Sequence, residues 1–102
     1  MQKVFVRLSV IVLLFSVAGS AQKRNITEKD LFDFVWVGDP QVSPDGSTVA
    51  FVTITVNAAK TNYDTSIWAV AANGSSEPVR LTSGTRDSTP RWSPDGRNLA
   101  FV

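Results

Sequence analysis

Residues 40–52 read PQVSPDGSTVAFV and residues 90–102 read PRWSPDGRNLAFV. The two stretches align without a gap at a spacing of fifty residues, with eight of thirteen positions identical. Where they differ, Val42/Trp92 and Val49/Leu99 stay apolar and Thr48/Asn98 stay polar. The shared centre has a mechanical reading. In Ser43, Pro44, Asp45 and Gly46, the proline presets φ near −65° for the second position of a type I turn, and aspartate suits the third. Glycine supplies the left-handed residue that closes a hairpin through a bulge. Ser93, Pro94, Asp95 and Gly96 repeat the same chemistry. After each turn the apolar residues alternate, as a half-buried strand requires.

Working outward, the first copy continues through Val52–Val56, and Asn57–Asp64 forms a polar connector. Ser66–Ala71 is a β-branched and aromatic run, Asn73-Gly74 is a turn dipeptide, and Val79–Thr82 is a short strand before the polar stretch 83–89. One period therefore holds four predicted strands, at 39–42, 48–56, 66–71 and 79–82. Four antiparallel strands in about fifty residues is the arithmetic of a β-propeller blade. The expected fold class is all-β: a partial propeller of about one and a half four-stranded antiparallel blades, after a signal peptide and a short helix. The expected units are a signal peptide at 1–21, a lead-in segment with the helix at 22–38, a first blade at 39–88 and the start of a second at 89–102. A chain cut inside its second blade leaves faces uncovered, so an isolated piece is expected to be marginal or prone to associate.

The helix is placed by Thr27, Glu28, Lys29 and Asp30, which read as a capping-box-like start before Leu31, Phe32, Phe34 and Val35. The leader is placed by Lys3 and Arg7, an apolar run from Leu8 to Val17, and the small residues of 18–21. That order predicts cleavage after Ala21, with Ala18 as the alternative, and hence an exported chain, periplasmic or secreted, without a stable membrane anchor. Setting 1–21 aside leaves 8 basic and 9 acidic residues, a net charge of −1, so the overall +1 belongs to the leader. No basic footprint for nucleic acid remains.

The 102 residues contain no His and no Cys. This excludes a Ser-His-Asp triad, a thiol nucleophile, imidazole or thiolate metal ligation and disulfides within this sequence. No catalytic, cofactor-binding or metal-binding residue is therefore assigned, and no cofactor is expected. Asp45 and Asp95 are turn residues in preference to calcium ligands, because Asp in such a turn bonds its own backbone. Ser43 and Ser93, with no His base to activate them, are also turn residues. Trp68 and Trp92 sit at strand positions expected to pack between blades in preference to forming a stacking platform, while Trp36 has no assigned place. Asn25 and Asn73 match the glycosylation sequon, but Thr27 and Asn73 already have cap and turn roles. Arg80, Arg86, Arg91 and Arg97 are scattered, which suits solvated faces or blade-edge ion pairs.

Ile26–Leu31 (ITEKDL), Val37–Phe51 (VGDPQVSPDGSTVAF), Asp64–Val70 (DTSIWAV) and Pro78–Thr82 (PVRLT) together resemble the start of the mature chain in prolyl oligopeptidase-family serine peptidases. The branch resembled is the exported acylaminoacyl- and dipeptidyl-peptidase-like one, and the resemblance covers most of 26–102. It implies an N-terminal propeller that gates access of short peptides to a C-terminal α/β-hydrolase domain. In that family the nucleophile elbow G-x-S-x-G and its Asp and His partners lie in the hydrolase domain. None of these occurs here, nor does a Glu-Glu pair of the kind that clamps a substrate amino terminus, so no family site residue transfers to this sequence. The Ser-Pro-Asp-Gly hairpin is also similar to that of the Tol-system periplasmic propeller. The alternative is accordingly a non-enzymatic binding module, and the lead-in segment favours the peptidases.

Overall fold

The computed structural model describes residues 23–102. The expected leader lies outside the described residues. What is described is almost entirely β, in antiparallel sheets. Strands β1 (Trp36–Val42), β2 (Thr48–Val56), β3 (Tyr63–Ala71) and β4 (Val79–Arg80) form one open sheet in the order β1-β2-β3-β4, and β5 (Arg91–Trp92) pairs with β6 (Leu99–Ala100) in a second, two-stranded one.

The β2–β3 pairing is unbroken, from Thr48 opposite Ala71 to Val56 opposite Tyr63. It includes Tyr63 and Asp64, which polarity assigns to the connector. The turn before them is fixed by the Asn57 side-chain carbonyl, which accepts the Thr61 N–H at 3.0 Å and the Asn62 N–H at 3.3 Å. The strand can therefore begin as soon as that turn closes. β1 starts three residues before its expected position, because Trp36, Val37 and Gly38 pair with Ile54, Thr53 and Val52. The register then shifts between Gly38 and Gln41, where Asp39 has a φ of +46° and Pro40 follows. This bulge re-aims the end of the strand. β4 is shorter than expected, yet the chain keeps to β3 beyond it: Leu81 N–H donates to Ile67 O at 2.8 Å, and Ile67 N–H donates to Thr82 Oγ1 at 3.1 Å.

Ahead of β1, Glu28–Asp33 is a 3-10 helix. Its start is held by Asp30, whose carboxylate accepts the Thr27 N–H at 2.7 Å and pairs with Arg24 at 2.6 Å. None of its residues is buried.

Register divides the main sheet into two faces. Ala50, Val52 and Ile67, at 0%, 5% and 0% exposure, share one face with Gly38, Gln41 and Ala69. The other face carries Val37, Val42, Val49, Phe51, Thr53, Trp68 and Val70. The core is small and lies on the first face, the side on which the β5–β6 hairpin sits.

Candidate functional site

The two repeated turns carry the same hydrogen-bond network, atom for atom. In the first, Ser43 Oγ donates to Asp45 Oδ1 at 2.6 Å and accepts the Thr48 N–H at 3.0 Å. Asp45 Oδ1 also accepts the Ser47 N–H at 3.0 Å and the Ser47 hydroxyl at 2.8 Å. In the second, Ser93 Oγ donates to Asp95 Oδ1 at 2.5 Å and accepts the Asn98 N–H at 3.0 Å, and Asp95 Oδ1 accepts the Arg97 N–H at 3.0 Å. Gly46 and Gly96, at φ +75° and +73°, each donate their N–H to the serine carbonyl at 2.9 Å. Pro44 and Pro94 occupy the corners. The Ser43 hydroxyl, with its proton and the Thr48 N–H, pulls the Asp45 carboxyl down to about 2 together with the two Ser47 donors. Ser93 and the Arg97 N–H lower Asp95 likewise. The serine oxygens serve these turns as donor and acceptor at once, and Ser43 is buried.

A second cluster joins the two copies. The Asp39 carboxylate accepts Gln41 Nε2 at 2.8 Å and pairs with Arg91 Nη1 at 2.9 Å, which holds its carboxyl below the usual range. Trp92 Nε1 donates to Gln41 O at 2.9 Å. Gln41 lies on the same face as Ala50, so these contacts place the β5–β6 hairpin on the covered side of the main sheet. Trp92 and Leu99 share one face of that hairpin and are half-buried, whereas Arg91 and Ala100 share the other and are exposed. Sequence reading assigns Arg91 to no partner; the charge pattern holds no signal linking positions 52 residues apart.

On its far side the main sheet is open. Val35, Val37, Phe51, Thr53, Thr55, Trp68 and Pro78 line a shallow hollow of about 410 Å³. Trp68 thus stands on the uncovered face, half-buried, with its Nε1 donating to Ser66 Oγ at 3.0 Å. Trp36 lies at the end of the sheet, edge-on to Phe34 and to Tyr63, with ring centroids 6.2 and 6.0 Å apart. Lys60 Nζ sits 4.9 Å above the Phe32 ring beside them. Of the remaining arginines, Arg80 donates to the Thr82 and Gly84 carbonyls. Asn73 accepts the Ser75 N–H at an exposed turn, and Asn25 is exposed. Among the described residues no group of three or more His, Cys, Asp and Glu side chains is arranged to hold a metal ion. None of their helices is long and apolar enough to cross a membrane. Chemically, the arrangement offers saturated turns, a polar seam and apolar faces: surfaces that make contact.

No protein-family model matches the chain. Among curated proteins, it is similar to the uncharacterized peptidase YuxL of Bacillus subtilis (strain 168), with 46% identity over 81 residues, 78% of this chain and 12% of that protein. It is also similar to the dipeptidyl-peptidase 5 proteins of Arthroderma otae and Trichophyton schoenleinii. Each of these is 37% identical over 76 residues, 64% of this chain and 10% of the relative. The chain thus spans about a tenth of the length of proteins named as peptidases, and its sequence is peptidase-related.

Proposed function

We propose that this chain is the N-terminal propeller portion of an exported serine-type peptidase of the prolyl oligopeptidase kind. The observation that carries the reading is the 46% identity over 81 residues to a protein named as a peptidase. The fifty-residue repeat and the four-stranded antiparallel sheet support it, because both fit units that stack around a ring. In this reading the chain performs no chemistry itself. Its turns fix the hairpins, its seam joins one unit to the next, and the assembled ring limits access to the active site to short peptides. The nucleophile, base and acid belong to an α/β-hydrolase domain encoded elsewhere in the complete protein, which is this chain's principal partner. Nucleic acid has no part in it.

The test is to express the complete reading frame and treat it with a serine-directed fluorophosphonate probe, alongside the 102-residue chain. The complete protein is expected to be labelled at the serine of a G-x-S-x-G elbow, and the 102-residue chain to stay unlabelled. A complete protein made only of further repeats, without the elbow and without labelling, would instead establish the non-enzymatic propeller of the Tol-system type. Activity that copurifies with the 102 residues alone would overturn both.

A further inference from the structure

We propose that the open face of the main sheet seats a second copy of this chain, docked head to tail on the exposed side of its β5–β6 hairpin. The inference rests on reading the fifty-residue unit as one that stacks on its successor. Within the chain that stacking already exists. The hairpin side bearing Trp92 and Leu99 is turned to the sheet face bearing Ala50 and Val52, with Trp92 Nε1 on Gln41 O and Arg91 on Asp39.

The repeat supplies a vacant version of both halves of that contact. The positions equivalent to Trp92 and Leu99 are Val42 and Val49, on the open face beside Val37 and Phe51; Val37 and Val42 are 63% and 59% exposed. The positions equivalent to Ala50 and Val52 are Ala100 and Val102, both exposed. The vacant pair lies on opposite sides of the stacked structure, so it cannot close within one chain. Two copies can close it, and they do so heterologously, one surface type against the other.

The chemistry of this intermolecular seat differs from the internal one in a way that sets its signature. Gln41 stands where the internal seam has Arg91, and Thr89 stands where it has Asp39, so no ion pair forms. Val42 stands in place of Trp92 and has no N–H to donate. The association is therefore apolar and insensitive to screening by salt.

The experiment uses the 102-residue chain, whose lack of cysteine allows single-site labelling. Sedimentation over a concentration series is expected to show mass rising with concentration, and Val42→Lys is expected to weaken that association about tenfold, in line with removing one buried valine. A short bismaleimide is expected to join Val42→Cys copies to Ala100→Cys copies, and to leave Val42→Cys copies alone unlinked. A monomer at every concentration, association equal in the Val42→Lys variant, or Val42→Cys copies joined to each other would overturn the proposal. Amide exchange separates this outcome from failure of the underlying reading. If β5–β6 is protected in the monomer but no heterologous cross-link forms, the second copy is rejected and the stacking unit stands. If β5–β6 exchanges as fast as an unstructured tail, the stacking reading itself fails.

Discussion

Replacing Gly46 with alanine isolates the backbone cost of the repeated turn. Gly46 has a φ of +75°, and a Cβ added there meets no atom within 4 Å. Steric conflict with neighbours is therefore absent, and what remains is the left-handed conformation, which costs an L-residue with a Cβ about 1–2 kcal/mol. The turn cannot relax to escape this, because the Gly46 N–H is committed to Ser43 O at 2.9 Å and the Ser43 and Asp45 side chains close the loop around it. With a urea dependence of roughly 1 kcal/mol/M for a chain this small, the unfolding midpoint of Gly46→Ala should fall by about 1–2 M. The assay is urea unfolding followed by far-UV circular dichroism at low protein concentration, where copies do not associate. Two controls sharpen it. Gly46→Asn should recover a good part of the loss, since asparagine tolerates the left-handed region. Gly38→Ala should lie near wild type, because its Cβ would meet only Ile54 Cδ1 at an ordinary 3.9 Å and its φ is not positive. A Gly46→Ala midpoint indistinguishable from wild type, or an Asn variant as unstable as the Ala variant, would refute the backbone argument.

Two further predictions follow from the core and the turn carboxylates. Ile67, fully buried at the centre of β3, should cost about 2–5 kcal/mol when truncated to alanine, the largest loss of any single truncation on the covered face, measured in the same urea assay. Asp45 is held at about 2 against an ordinary 3.8, so it binds a proton more readily unfolded than folded. Its stabilising contribution is complete above pH 3.8 and is lost as the pH falls toward 2. Acid unfolding of Asp45→Asn should therefore be flatter than wild type across that window, and equal slopes would contradict it.

The parts of the fold that were legible in the sequence are those fixed by local rules. The Ser-Pro-Asp-Gly turns are written in residues whose conformational preferences admit few alternatives, and alternation after the first turn placed β2 at Thr48–Val56, where the structure has it. The ends of β1 and β3 were not legible, for two different reasons. Asp39 and Pro40 interrupt the pattern as a turn would, but here they form a bulge inside a strand that resumes its pairing. Tyr63 and Asp64 are polar enough to pass for loop, yet they complete a ladder whose register was set eight residues away. Trp68 looked like an interior residue by type and strand position; which face it occupies depends on register, and that face is the one the hairpin leaves uncovered. The Asp39–Arg91 seam was beyond local reasoning altogether. It depends on Thr89 sharing the positive φ of Asp39, at +56° and +46°, and threonine gives no hint of that conformation.

The bulge in β1 has a consequence for how this molecule meets other chains. β1 is the outermost strand of its sheet, the position from which strands recruit foreign backbone and start cross-β growth. Pro40 brings no amide hydrogen to that margin, and the register shift beside it breaks the even spacing that an incoming strand would need. The strand most at risk of templating fibrils is thereby blunted, while the apolar faces stay accessible. The molecule is protected against amyloid-like zippering without giving up its capacity for side-chain-specific assembly.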